Sequence, residues 1–253
     1  AYQFNNTEHA ANLFGLKEFG NIYSRLGNPT VGALEARLTA LEGGAMSVAL
    51  ASGTSAVMYS LINIMSQGDN FVTASQLYGG TYTMFDNILP EYGINAKKVD
   101  ITDLKAVEDS IDDKTRAVYC ETVTNPGLVV ADVTALSDIA HKHGIPLIVD
   151  ATFTTSAIQK SFEFGADIVV YSLTKWMSGH GRVIAGAVIE KGGFDWGNGN
   201  FPLYDKPDTS YGNMRWGHDL GDLGNVAYSL RLRTVPLRNL GANMSPDTAF
   251  EVM

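Results

Sequence analysis

A single cysteine, Cys120, stands among 253 residues. One cysteine excludes an internal disulfide framework and suits a reducing compartment. It lies in the apolar run Ala117-Val118-Tyr119-Cys120, which reads as a buried structural thiol rather than a reactive one. Basic residues are also few: 18 Lys and Arg against 27 Asp and Glu give a formal net charge of -9 at pH 7. That balance argues against nucleic acid or an anionic membrane as the main partner. No apolar run reaches the length of a membrane-spanning helix. The opening residues AYQFNNTEHA have no basic segment followed by an apolar core, so a signal peptide is not expected and the cytoplasm is. His141, His143 and His180 lack partners at zinc-ligand spacing, and no metal is expected. No Gly-x-Gly-x-x-Gly follows a strand, which weakens a nicotinamide-dehydrogenase reading. Low-complexity segments and repeats are missing too.

What is present is a chain rich enough in apolar residues, 45% against 18% charged, to bury a sizeable core. Residues 1–28 are polar and aromatic with little periodicity, and read as an extended arm that needs another surface to rest on. Asn28-Pro29 is a helix start, Leu34, Leu38 and Leu41 share one face, and Gly43-Gly44 is a stop. Strand-like SVALAS (47–52), NFVTAS (70–75), INAKKVD, TRAVYCE, IPLIVD and RVIAGAVIE then alternate with helical patterns. Residues 191–221 read as a long loop, and 222–240 as a helix divided or kinked by Pro236. The alternation predicts an α/β fold with a mostly parallel sheet flanked by helices.

In such sheets ligands bind at the carboxyl ends of the strands. Ser52, Asn125, Asp150, Ser172 and Lys175 all fall at or just past a predicted strand end. Ser52-Gly53-Thr54-Ser55 leads from a strand into a helix, an arrangement whose outward N–H groups and dipole favour a phosphate. Lys175 sits in ADIVVYSLTKWMSGHG (166–181) between apolar neighbours. Partial desolvation there is expected to lower its pKa and make it a nucleophile, with Ser172 and Thr174 as flanking hydroxyls. An acid at one strand end, a lysine at the next and a phosphate cradle together suggest pyridoxal phosphate (PLP): the lysine carries the cofactor as a Schiff base and Asp150 keeps its pyridine nitrogen protonated. Tyr78, in its Gly-rich turn, is the natural aromatic to lie against the ring.

The segments YSRLGNPT, ASGTSA, LYGGTY, ETVTNP, PLIVDATF and YSLTKWMSGHG, in this order, resemble the Cys/Met-metabolism family of fold-type I PLP-dependent enzymes, from about residue 12 onward. Within it, YGGTY and FDWGNGNFPLYDKPDTSY most resemble the O-acetylhomoserine sulfhydrylases; methionine γ-lyases usually have cysteine where Gly80 stands.

The resemblance implies a fold-type I large domain over 29–240, an arm over 1–28, and the start of a C-terminal domain at 241–253, the chain being a fragment. It implies that Lys175 carries the cofactor and shuttles protons, and that Tyr78 stacks on the ring and assists the leaving group. Asp150 pairs with the pyridine nitrogen, and Asn125 with the ring's phenolic oxygen. Gly53, Thr54, Ser172 and Thr174 hold the phosphate, which Tyr23 and Arg25 reach from a neighbouring subunit. A homodimer or homotetramer with shared sites follows. The implied reaction is γ-replacement on O-acetylhomoserine by sulfide or a small thiol. Methionine γ-lyase or cystathionine γ-synthase activity, or a non-catalytic cofactor-binding chain, remain alternatives. The family's substrate-carboxylate arginine has no assignable counterpart here. Ala151 replaces the usual Asn, a change the surrounding motif tolerates. Arg182 replaces a small or hydroxyl residue and could re-charge the site entrance.

Overall fold

The computed structural model describes residues 2–253. The arm is not wholly extended. Asn6 accepts a hydrogen bond from the His9 N–H and starts helix α1 (Thr7–Phe14), whose Leu13 is buried. Asn28 caps α2 (Pro29–Glu42), with Pro29 supplying a helical φ at its first position. Gly43, at φ 79°, ends that helix in a left-handed conformation open to glycine without penalty.

From there strands and helices alternate: β1 (Met46–Leu50), α3 (Gly53–Ile62), β2 (Asn70–Ala74) and α4 (Gly79–Thr83). Next come β3 (Asn95–Val99), α5 (Leu104–Asp109), β4 (Thr115–Glu121), α6 (Val133–Lys142) and β5 (Leu147–Asp150). After α7 (Thr155–Ile158), β6 (Ile168–Tyr171) and β7 (Gly186–Glu190) complete a seven-stranded sheet of order β1-β7-β6-β5-β4-β2-β3. The pairs β2–β3, β2–β4, β4–β5 and β5–β6 are parallel, whereas β7 runs antiparallel to both β1 and β6. One reversed strand between two co-directional ones leaves the carboxyl ends of β1, β2, β4, β5 and β6 on the same edge. Buried strands such as Ile168-Val169-Val170-Tyr171 need apolar side chains on both faces, which is why they read as unbroken apolar runs.

Two segments depart from the sequence expectation. Strand β7 begins at Gly186, and Arg182–Ala185 lie outside it. Residues 191–221 are not a loose loop. They carry α8 (Pro202–Asp205) and bury Trp196, Phe201, Tyr204 and Trp216. Trp196 stacks at 5.1 Å on Tyr204 and on Tyr228 of α9 (Ala227–Leu232), and its indole N–H donates to buried Glu190 at 3.2 Å. Those aromatic contacts replace the sheet pairing that the segment lacks. Pro236 lies inside a wide π turn, Arg233–Leu237, that joins α9 to α10 (Arg238–Leu240), and the chain ends in α11 (Pro246–Val252).

Candidate active site

At the carboxyl edge of the sheet the chain encloses a cavity of about 600 Å³. Its walls bring together Gly53, Thr54, Tyr78, Asn125, Asp150, Ser172, Thr174 and Lys175, eight of the ten residues singled out in the sequence.

One end of the cavity is built by close approach. Ser52 caps α3, its hydroxyl accepting the Ser55 N–H at 3.0 Å, while the Ser55 hydroxyl accepts from the Ser52 N–H at 3.1 Å. That reciprocal cap leaves the N–H groups of Gly53 and Thr54, in the first turn, without intrahelical acceptors and facing the cavity wall. Position 53 must be glycine, since a Cβ there would fall 2.5 Å from the Cβ of Ser172. Ser172, just past β6, donates its own N–H to Thr152 Oγ1 at 2.8 Å and turns its side chain to this helix start. Two N–H groups, a hydroxyl and a helix dipole converge where an anion fits. Thr174 contributes less than expected. Its hydroxyl donates to the Ala185 carbonyl at 3.1 Å and accepts the Ala185 N–H at 3.0 Å, so its only proton is committed to backbone.

Asp150 ends β5, where Oδ1 accepts the Thr152 N–H at 2.9 Å and Oδ2 faces the Tyr119 hydroxyl at 3.4 Å. Burial pushes its carboxyl above the usual carboxylate range. A carboxylate so placed, with a thin donor set and a cavity in front of it, is completed by a cationic N–H such as a pyridinium. Lys175, one turn past β6, is exposed toward the cavity rather than desolvated as the sequence suggested. Its neighbour Trp176 is 66% exposed, so the apolar surroundings implied by the sequence are not assembled around the ammonium.

Tyr23 and Arg25 do not line this cavity. The Arg25 guanidinium donates to the Arg238 carbonyl and lies 5.4 Å from the centre of the Tyr23 ring. Arg182 turns away as well, pairing with Glu251 of α11 at 3.2 Å, although Gly181 and Ile184 beside it line the wall. Ala151 is fully buried, and nothing polar is required of it.

Sequence reasoning passed over Glu121. It ends β4 in register with Asp150, lines the cavity, and is buried. Its signal was the same as that of Asp150 and Ser172: a polar residue ending an apolar strand. Thr152, which bonds both Asp150 and Ser172, was likewise unassigned.

The chain matches the model of the Cys/Met metabolism PLP-dependent enzymes over residues 1–253. It belongs to that family. The cofactor is therefore pyridoxal phosphate, and the cradle, the lysine and the buried carboxylate fit its phosphate, aldehyde and pyridine nitrogen. Among curated relatives, the chain is 44% identical to an O-acetyl-L-homoserine sulfhydrylase of Leptospira meyeri, covering all of this chain and 58% of that protein. It is 41% identical to a homocysteine synthase of Schizosaccharomyces pombe, covering 99% and 58%. A crystal structure of a putative O-acetylhomoserine (thiol)-lyase from Campylobacter jejuni, containing N'-pyridoxyl-lysine-5'-monophosphate, superimposes with a TM-score of 0.94 at 39% identity. This chain is covered completely there, and 62% of the other. Cystathionine γ-lyase from Lactobacillus plantarum follows at 0.76 and 30% identity, covering all of this chain and 55% of that one. The fold is thus the fold-type I PLP-dependent architecture, and the chain spans somewhat under three-fifths of the length of these curated relatives. No helix among the described residues is long and apolar enough to cross a membrane.

Proposed function

We propose that this chain is the cofactor-binding part of an O-acetylhomoserine sulfhydrylase. In this reading acetate leaves Cγ of O-acetyl-L-homoserine, and sulfide or a small thiol takes its place, giving homocysteine or methionine. The observation that carries the proposal is one cavity uniting Lys175, Asp150 and the Gly53–Thr54–Ser172 cradle, in a chain 44% identical to a sulfhydrylase.

When bound, PLP supplies an electron sink for negative charge developing at Cα. The protein's part is to hold and to move protons. Gly53 and Thr54 N–H groups and the Ser172 hydroxyl bind the phosphate, with Thr174 bracing the turn that presents it. Asp150 keeps a proton on the pyridine nitrogen. Asn125 donates to the ring's phenolic oxygen, and Tyr78 lies on the ring face and assists the departing acetate. Lys175 holds the cofactor covalently between turnovers and carries protons between Cα and Cβ, a role that suits its exposure to the cavity. Tyr23 and Arg25 act on a neighbouring subunit's phosphate, within a homodimer or homotetramer of a cytoplasmic enzyme. Residues 1–28 form the arm, 29–240 the large domain, and 241–253 lead into a further domain.

The test supplies O-acetyl-L-homoserine and sulfide to the cofactor-loaded full-length protein. Homocysteine is the expected product, with Lys175→Ala slower by about a thousandfold or more. No homocysteine, or faster breakdown of methionine or cystathionine, overturns the assignment.

A further inference from the structure

Glu121 is the one carboxylate besides Asp150 in the cavity wall. It is 5% exposed, and no cation pairs with it among the described residues. Its two oxygens are divided between two different turns. Oε1 accepts the backbone N–H of Tyr78 at 2.7 Å, and Oε2 accepts that of Asn125 at 3.0 Å. The same turns meet a second time, since the Gln76 side-chain oxygen lies directly over Gly127, in the space a Cβ would occupy. Tyr78 is the N-cap of α4 and its carbonyl accepts the Tyr82 N–H at 2.8 Å, while Glu121 holds its N–H from the other side. Three pieces of chain, the end of β4 and the turns after β2 and β4, are therefore tied through one side chain.

We propose that Glu121 is a positioning residue that sets the placement of Tyr78 and Asn125 across the cavity. The proposal rests on the PLP reading for its purpose, though not for its geometry. Only glutamate meets the requirement. A carboxylate offers two acceptors and no donor, whereas the amide of glutamine would turn an N–H toward a backbone N–H. Aspartate is one methylene too short to reach both turns. Burial, with Asp150 alongside, pushes the Glu121 carboxyl up to about 7, against which the two N–H bonds pull it down. Protonation near neutrality would give one oxygen a proton where it must accept, loosening one of the turns. The tie is thus sensitive to pH near neutrality.

The experiment is amide hydrogen exchange on the full-length protein, cofactor-free and cofactor-loaded, with Glu121→Gln and Glu121→Ala. Both variants are expected to speed exchange at Tyr78 and Asn125 by about tenfold or more in the cofactor-free protein, with β4 and β5 as protected as before. In the loaded protein, Glu121→Gln is expected to weaken the visible circular dichroism of the bound cofactor, which reads the asymmetry of its surroundings. It is also expected to abolish any inflection of that signal near neutral pH. Exchange at both amides within about twofold of the parent overturns the proposal. If Glu121→Ala loses protection throughout the sheet, Glu121→Gln decides by the same criterion. If the parent protein develops no visible band with PLP, the cofactor reading fails, while exchange in the cofactor-free protein still decides the role of Glu121.

Discussion

A Cβ at position 53 would meet not only the Cβ of Ser172 but also its Cα, at 2.8 Å, and backbone cannot rotate aside. Gly53→Ala is accordingly expected to destabilise the protein by about 1–3 kcal/mol, the usual cost of overpacking. It should also push apart the two walls proposed to bind phosphate. A lower urea midpoint with at least about tenfold weaker PLP binding is the expected pair of results; a parental midpoint and affinity would show that the approach is not needed. At this scale the sequence showed which residues the cavity would gather wherever that follows from a strand end or the helix start after it, as for Asp150, Ser172 and Gly53. It was not readable where the role depends on what the side chain meets in space. The Thr174 hydroxyl bonds a backbone eleven residues away, and Lys175 is exposed, with its apolar neighbour Trp176 exposed beside it on the cavity wall. Glu121 carries the same strand-end signal as Asp150, but what it does there is hidden from the sequence, because both of its partners are backbone N–H groups, which no residue pattern displays.

Helix α6 shows how an element is fastened to the sheet. His141, in its last turn, bonds Asp167 through Nε2 at 2.8 Å, and the same oxygen of Asp167 accepts the Leu147 N–H of β5. The Asp167 bond holds the imidazole above its ordinary value, opposed by burial and by Lys191 and assisted by Asp138. A raised histidine contributes stability that is complete below its unfolded pKa of about 6.5 and is lost as pH rises through the higher folded value. The stability difference between the parent and His141→Gln is therefore expected to be largest near pH 6 and to shrink above neutrality. It should not exceed about 1 kcal/mol, because the ring is two-fifths exposed and water screens the pair. Urea titrations across that range check it, and a gap that widened with pH would contradict the assignment. Elements were legible in proportion to their periodicity. The apolar stripe Val133, Leu136 and Ala140 announces α6. Helix α1 buries Leu13 alone and so leaves no stripe to read, and residues 182–185 look like strand while pairing with none.

Across the whole molecule, Arg233 joins parts that are far apart in the chain. Its guanidinium donates to the Leu26 carbonyl of the arm, to Glu35 of α2 at 2.8 Å and to the Ser47 carbonyl of β1. Glu35 is nearly buried and also accepts the Ala49 N–H, so removing the cation would strand a carboxylate inside. Arg233→Ala is expected to cost about 3–5 kcal/mol, and breaking an exposed pair such as Lys105–Asp109 far less. Thermal or urea unfolding of the two variants measures the contrast, and equal losses would refute it. The α/β class and the shared carboxyl edge could be read from alternation alone. The reversed strand could not, because antiparallel and parallel strands buried on both faces share one apolar pattern.

That reversed strand also fixes an order of events. Residues 46–50 leave the ribosome early, yet their sheet neighbour is residues 186–190, and the wall opposite Gly53 is Ser172. At about 5–20 residues per second, the first strand waits on the order of ten seconds without its partner. The cradle can close only after nearly the whole sheet has been synthesised, so a growing chain has no finished place for the cofactor until then. Vitamin capture is in this fold a late, post-assembly event.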